Sequence, residues 1–365
     1  MFFVEASVRS ILIIRLSAIG DIVMASPLIA ALREQYPQAR IAWLVQPEGY
    51  ELLAANEQLD EVIVWPRGEW RQLWQKRRWW TLLRAIVSFV RQLRGRDFDL
   101  VLDTQGLLKS GIWAWFSGAR RRVGLGSREG SARLMTEVID KPRDDVRIGS
   151  EYRELARQLG LKTDNFCMQI SLSEEDRAFA REFVQQHGLE QGYVVACPFT
   201  TRPQKHWVES RWPELAEQIS SQPGLPLVVL GGPGDQSVAE RMMAGHPRMI
   251  NLVGQTRLRQ AAALIAEARL LIGVDTGLTH MGIAAAIPTI TLFGSTCPYL
   301  NAGRDTGLDN TVVLYKALEC SPCRRNPVCG GAFTCMADIT VAEVVQTAQQ
   351  LLANSVTLMS TRESS

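Results

Sequence analysis

The sequence predicts an α/β protein built from two Rossmann-like, doubly wound parallel-sheet domains in tandem. Three observations carry that prediction. Short, continuously apolar runs such as Leu270-Leu-Ile-Gly-Val274 have the length and composition of strands buried on both faces. Stretches with helical spacing lie between most of these runs, and strands alternating with helices imply parallel order and right-handed crossovers. The alternation occurs twice, without a detectable sequence repeat. The 365 residues suit two domains of ordinary size, and 46% apolar residues can fill two ordinary cores.

In the first series, residues 9–16 read as a strand and Ser17-Ala-Ile-Gly-Asp21 as a turn. Residues 22–35 follow with helical spacing. The turn lacks the G-x-G-x-x-G dinucleotide fingerprint. Gly20 lets the backbone turn sharply at the carboxyl end of the strand, where open α/β sheets bind ligands. Asp21 then either caps the helix or stands at the mouth of a ligand cleft. Residues 39–45, 61–64 and 99–103 read as further strands, the last ending in Thr104-Gln105-Gly106 before a helix that carries Lys109. Residues 150–159 close the first domain, set at 1–165, and residues 162–173 read as the linker.

The second series has strands at 192–197, 225–230, 249–252, 270–274, 289–293 and 311–314, with helices at 212–221, 236–244, 258–267 and 278–286. The second domain is set at 166–340. Residues 341–352 read as a terminal helix, expected to reach back toward the first domain, and residues 353–365 as a frayed tail.

Composition narrows the classes. A net charge of +2 confines any nucleic-acid or membrane affinity to a local patch. Glu5, Arg9, Arg15 and Asp21 interrupt the apolar N-terminal residues, so a secretory signal is not expected. Residues 276–303 lack charge, but Pro288, Gly294 and Pro298 argue for core elements rather than a membrane span. Seven cysteines in so long a chain suggest a reduced, cytoplasmic setting rather than a disulfide scaffold.

Several patches carry candidate chemistry. Asp275-Thr276-Gly277 joins a strand end to a helix N-terminus, a natural anion site because unpaired N–H groups point out of it. Thr276, Gly277 and Thr279 suit close approach by a phosphate, and His280 could add a donor. The plain alternative is a strand–helix joint with a capping Asp. The loop Phe199-Thr-Thr-Arg-Pro-Gln-Lys-His-Trp207 offers hydroxyls and Lys205 to a diphosphate. Gly231-Gly-Pro-Gly-Asp235 allows close backbone approach or is a simple turn.

Residues 67–96 interleave Arg and Lys with Trp70, Trp74, Trp79 and Trp80. That pattern suits a phospholipid interface, single-stranded nucleic acid, or an amphipathic helix with inward tryptophans. Arg120, Arg121 and Arg122, with Arg128 and Arg133, form a second basic cluster in a Gly-rich loop region, where solvated loop charge is the plain alternative. Cys320, Cys323, Cys329 and Cys335, in a Cys-rich segment at 320–335, could hold Zn or an iron ion, or be reduced structural cysteines.

Taken together, Arg15-Leu-Ser-Ala-Ile-Gly-Asp21, Asp103-Thr-Gln-Gly-Leu-Leu-Lys109, Thr200-Thr-Arg-Pro-Gln-Lys-His-Trp207 and Val274-Asp-Thr-Gly-Leu-Thr-His280 resemble the bacterial lipopolysaccharide heptosyltransferases of glycosyltransferase family 9. The resemblance spans residues 9–350, and Asp-x-Gln-Gly-Leu-x-Lys-Ser with Thr-Thr-x3-Lys-His-Trp looks most like heptosyltransferase I. The cysteine cluster departs from that subgroup.

The resemblance implies a GT-B fold with its two domains facing a central cleft. It implies inverting transfer of heptose from ADP-heptose to a Kdo sugar of the lipid A inner core, at the cytoplasmic surface of the inner membrane. No cofactor is implied for catalysis. Asp21 would be the general base. Thr200, Thr201 and Lys205 would hold the diphosphate. Asp275, Thr276, Gly277 and His280 would hold heptose and phosphates, with Thr256 against the adenine and the Gly231 loop near the ribose. Lys109, Arg120, Arg121, Arg122 and the segment 67–96 are candidates to meet the acceptor. Two other readings compete: an ADP-heptose-dependent protein heptosyltransferase of the autotransporter type, and a nucleic-acid-binding protein with a four-cysteine metal knuckle. The latter leaves the Thr-Thr-x3-Lys and Asp-Thr-Gly loops unexplained, so no nucleic acid is expected as a partner.

Overall fold

A computed structural model describes residues 8–143, 148–296 and 310–362, with side chains as far as residue 354. The chain forms two compact units, Met1–Phe166 and Cys167–Ser365. Elements in the first unit run β1 (Ser10–Ile14), α1 (Ile19–Ala25), α2 (Pro27–Gln35), β2 (Arg40–Val45), α3 (Pro47–Leu53), β3 (Glu61–Val64), α4 (Arg67–Gln75), α5 (Trp79–Arg94), β4 (Leu100–Asp103), α6 (Leu108–Phe116), β5 (Arg121–Leu125), β6 (Glu137–Ile139) and α7 (Ser150–Gln158). Those in the second run α8 (Glu174–Gln186), β7 (Val194–Cys197), α9 (Arg211–Ser221), β8 (Leu227–Val229), α10 (Gln236–Met243), β9 (Met249–Asn251), α11 (Leu258–Ala266), β10 (Leu270–Val274), α12 (Gly277–Ala284), β11 (Thr289–Phe293), β12 (Thr311–Tyr315), α13 (Thr334–Ala337) and α14 (Val341–Arg362).

Each unit holds a six-stranded parallel sheet, ordered β3-β2-β1-β4-β5-β6 and β12-β11-β10-β7-β8-β9. The continuously apolar strands are buried, as parallel strands covered by helices on both faces must be: every residue of β1, β10 and β11 is buried. Leu12, Ile14, Val101 and Trp113 anchor the core of the first sheet, and Val194, Trp212, Ile272 and Leu292 that of the second.

In both sheets the chain reverses direction across the middle pair, β1/β4 and β10/β7. A doubly wound sheet opens a crevice at that point, because its loops depart to opposite faces. The two reversal points decide where chemistry can sit.

Three expectations change. The helix read at 22–35 is two helices: Pro27 has no N–H to give, so α1 stops and α2 restarts with Pro27 in its first turn. The basic cluster read as loop is the start of β5, paired Leu100↔Arg121 and Val101↔Arg122. The linker runs into α8, whose cap Ser173 and Asp176 bond reciprocally. The described part of α14 packs on α9, β10 and β11, within the second unit. Residues 1–7, and the last residues of the tail at 363–365, lie outside the described residues.

Candidate active site

At the reversal point of the first unit, β1 ends at Ile14 opposite Asp103, the last residue of β4. Arg15 follows directly and is buried. Its Nη1 donates to the Thr104 carbonyl at 2.8 Å, and its Nη2 lies 2.5 Å from Oδ2 of Asp21. The guanidinium sits over the ring of buried Tyr152, 5.8 Å from its centroid. Burial alone would lower the Arg15 pKa, but the fields of Tyr152 and Asp21 raise it. The cation is thus a permanent charge held against one carboxylate.

Asp21 sits in the first turn of α1. Its Oδ2 also accepts the Ala18 N–H at 3.2 Å, so it does cap the helix. Both contacts use the same oxygen. Oδ1 has no hydrogen bond among the described residues, and the side chain is 34% exposed. Capping and proton acceptance are therefore compatible: one oxygen is anchored and the other is open.

Asp103 has a different role. Its Oδ1 accepts the N–H groups of Gln105 and Gly106, and Oδ2 the Ser110 hydroxyl, all at 3.1 Å. These bonds fold the turn into α6. Gly106 lies at φ +66°, and a Cβ there would meet the Leu125 carbonyl at 2.3 Å. Burial lifts the Asp103 pKa to about 6, against the pull of those three donors. Between about pH 4 and pH 6 the folded unit therefore holds a proton the unfolded chain has released, and stability falls as pH rises through that window. Asp103→Asn should flatten this trend by about 2 kcal/mol relative to wild type, read by urea unfolding at the two ends of the window.

Lys109, in the first turn of α6, is half-buried. Burial and the neighbouring Arg67 and Arg15 lower its pKa. Arg67 begins α4 at the carboxyl end of β3, so three cations converge at the edge where Asp21 is anchored.

At the reversal point of the second unit, the loops after β7 and β10 meet around Asp275. Lys205 pairs with its Oδ2 and Thr296 donates to the same oxygen at 2.6 Å; His280 Nε2 lies 3.3 Å from Oδ1, and Thr200 donates to the Asp275 carbonyl at 3.3 Å. Burial opposes ionisation of Asp275, but the hydrogen bond and field of His280, then those of Lys205, hold its carboxyl well below the usual range. The loop that delivers Lys205 is pinned at both sides: His206 bonds to the Thr200 carbonyl at 2.8 Å, and Trp207 donates to Ile339 at 2.8 Å.

Thr276 occupies the N-cap position of α12 without a side-chain capping bond, and Gly277 begins the helix. Gly273 permits the close approach: a Cβ there would lie 2.1 Å from the Thr279 hydroxyl. The first N–H groups of α12 point out beside Lys205, an arrangement that favours an anion. Thr201 is exposed on the same loop as Thr200.

Thr296 and Ser295 were not singled out in the sequence. Thr296 reaches Asp275 because β11 lies beside β10, a neighbour relation that is invisible along the chain. Ser295 Oγ is buried without a hydrogen bond next to it. A hydroxyl pair at a strand's carboxyl end was the available signal.

Other candidates stand apart. Thr256 is half-buried in the loop after β9, two strands beyond β7. Gly231 follows β8, where a Cβ would meet Phe199 at 2.5 Å. Arg120, Arg121 and Arg122 do not join Asp21 and Lys109. They lie at the amino end of β5, the opposite edge of a parallel sheet, and their charges are used locally. Arg121 pairs with Glu137 at 3.2 Å, while Arg122 bonds to the Leu134 and Ala119 carbonyls at 2.9 and 2.5 Å. Arg120 is exposed.

The four cysteines lie near one another: Cys320, Cys323 and Cys329 all act on the Cys335 thiol through their fields. Among the described residues no three His, Cys, Asp or Glu side chains lie close enough to hold a metal ion. Cys320 is exposed, whereas Cys335 is buried with its sulfur against Gly294. The Cys329 thiol is held below its usual pKa by the Phe333 N–H, with Gly331 and Ala332 adding to it. The segment also packs over the end of β11: Ser321 bonds to the Gly294 carbonyl, and the Arg324 N–H to that of Ser295 at 2.6 Å.

Residues 86–329, more than half of the chain, match the profile of glycosyltransferase family 9 (heptosyltransferase). The chain is 29% identical to lipopolysaccharide heptosyltransferase 1 of Pseudomonas aeruginosa, covering 86% of each protein. It is 28% identical to lipooligosaccharide heptosyltransferase 2 of Haemophilus ducreyi, over 94% of this chain and 99% of the relative. Its fold is similar to that of the solved E. coli ADP-heptose lipopolysaccharide heptosyltransferase II. The TM-score is 0.74 and the identity 22%, over 95% and 99% of the two chains.

Proposed function

The chain belongs to glycosyltransferase family 9, the heptosyltransferases, and from that premise we propose that it moves heptose from ADP-L-glycero-D-manno-heptose to a Kdo residue of the lipopolysaccharide inner core, with inversion. The observation that carries the reading is Asp21: a carboxylate at a sheet reversal point with one oxygen fixed and the other open.

In the proposed reaction Oδ1 of Asp21 takes the proton from the acceptor hydroxyl. The acceptor oxygen bonds to the anomeric carbon, whose bond to the diphosphate oxygen breaks, and the electron pair leaves with ADP. The transition state is oxocarbenium-like, by analogy with glycoside hydrolysis. Charge grows on the departing diphosphate. Lys205, Thr200, Thr201 and the first N–H groups of α12 at Thr276 and Gly277 stabilise it as fixed electrostatics, with no metal invoked. Asp275 and His280 hold the heptose end. Thr256 and the Gly231 loop serve the nucleoside end, as expected for a ligand laid along the carboxyl edge from β10 toward β9. On the acceptor side we retain Lys109 and, from the segment 67–96, Arg67. Arg120, Arg121 and Arg122 are not retained, because they lie at the other edge of the sheet.

Arg15 acts through Asp21 as a positioning residue. Arg15→Met should cost roughly a hundredfold in kcat by freeing the base. Arg15→Lys should restore part of the rate. A loss of rate that lysine does not rescue, with a lowered melting temperature, would make Arg15 merely structural.

The acceptor is chosen on the motifs Asp-x-Gln-Gly-Leu-x-Lys-Ser and Thr-Thr-x3-Lys-His-Trp, since overall identity hardly separates the two relatives. The test is ADP release from purified protein given ADP-heptose in EDTA. Kdo-bearing lipid A, the same acceptor already carrying one heptose, or no acceptor would be supplied in turn. Release with the first alone supports the reading. Release with the second alone would move the protein one step along the core, and dependence on added magnesium would remove the metal-free part.

A further inference from the structure

The hairpin of α4 and α5 is the least expected surface of the first unit. One face of it is ordinary core. Trp70 packs edge-on against Trp65 at 6.4 Å and Phe89 at 5.6 Å, and Leu82 and Leu93 are buried. The other face is not covered. Trp80 is 79% exposed and Trp74 61%, with Trp79, Leu83 and Val87 also exposed. Trp74 and Trp79 stack edge-to-face with centroids 4.3 Å apart, so the tip is a rigid aromatic ridge. Trp80, Leu83 and Val87 continue it along α5 at helical spacing.

Cations frame the ridge. Lys76, Arg77 and Arg78 form the turn between the helices, and Arg84 and Arg91 lie along α5. None of the five makes an ion pair among the described residues, in contrast to Arg96, which is bound to Glu61 at 2.9 Å. Between residues 67 and 96 the only acidic residue is Glu69. Tryptophans within a field of uncompensated Lys and Arg match the boundary between acyl chains and anionic headgroups: the indole is apolar with one donor, and the long cations reach outward to phosphate.

The position of the hairpin matters as much as its chemistry. Arg67 begins α4 within the field of Lys109, at the edge that carries Asp21. The nine residues of α4 span about 13 Å. The ridge therefore stands about the length of α4 away from Arg67. No described helix is long and apolar enough to cross a membrane.

We propose that the α4–α5 hairpin docks the protein onto a bilayer bearing anionic headgroups, with Trp74, Trp79, Trp80 and Leu83 entering the interface and Lys76, Arg77, Arg78 and Arg84 meeting phosphates. This deepens the transferase reading by naming the surface that meets the lipid phase, and its test is independent of that reading. Full-length protein is co-sedimented with vesicles of phosphatidylcholine alone or mixed with phosphatidylglycerol, without any sugar donor. Wild type should bind the mixed vesicles and be released by high salt. The triple variant Lys76→Gln/Arg78→Gln/Arg84→Gln should weaken partitioning about a hundredfold, since each cation near an anionic surface contributes about fivefold. Trp80→Ala, at a site with no packing to lose, should weaken it about tenfold. Circular dichroism melts equal to wild type show that the variants fold.

Three results would overturn the proposal: no binding by wild type, binding insensitive to both variants, or displacement from vesicles by a thymidine homopolymer that binds more tightly. The last would reassign the surface to single-stranded nucleic acid. Vesicle binding without heptose transfer would leave the docking surface standing and remove the transferase assignment; transfer without vesicle binding would do the reverse.

Discussion

Asp21→Asn should lower kcat by roughly 10²–10⁴ while ADP-heptose affinity stays within about twofold. The substitution keeps the cap contact but takes the counter-charge from buried Arg15, so a thermal melt accompanies it to show that the variant is folded. An asparagine oxygen can still accept the Ala18 N–H at the start of α1, so the cap survives. What it cannot do is take a proton. If capping were the whole role, turnover would be unchanged. ADP release measures the first outcome, and titration calorimetry with ADP-heptose the second. Preserved turnover with normal donor binding would end the assignment of Asp21 as base.

Lys205→Ala should cost both stability and donor affinity, for separable reasons. The Asp275 side chain is only 7% exposed and its Oδ2 is shared by Lys205 and Thr296. Removing the cation leaves a buried carboxylate undercompensated, a loss of about 3 kcal/mol, at the low end because His280 and Thr296 remain. The diphosphate also loses its point charge, which should raise the Kd for ADP about ten- to a hundredfold. The double variant Lys205→Ala/Asp275→Asn separates these effects: it should recover most of the stability and none of the affinity. In wild type the Asp275 contribution is present above about pH 4 and lost as pH falls toward its depressed pKa, so the gap between Lys205→Ala and wild type should narrow in acid. A double variant that stayed unstable would mean Lys205 packs rather than pairs.

The strands were legible because parallel burial writes itself as unbroken apolar runs; β3, β10 and β11 carry the bounds read from the chain. β5 was not, because its first two residues are arginines whose guanidiniums turn aside to Glu137 and to backbone carbonyls. The break at Pro27 is written in the sequence, but helical spacing that continues across it masks the stop. In the site, Asp21, Lys205, Asp275 and His280 could be named from loop chemistry at strand ends. Their pairings could not: Lys205 and Asp275 are seventy residues apart and meet only because β7 and β10 are neighbours. The segment 67–96 split three ways in prospect, and the structure divides it: Trp70 turns inward, whereas Trp74, Trp79 and Trp80 turn out.

The clamp on Asp21 has a bearing on biosynthesis. Arg15 is steadied by the carbonyl of Thr104 and by the ring of Tyr152, so its setting draws on stretches made far apart in time on the ribosome. A nascent chain that has emerged only through α6 owns the carboxylate but lacks the aromatic floor beneath its guanidinium partner. With Asp21 as the proposed base, its setting is complete only once α7 has been synthesised and has supplied Tyr152.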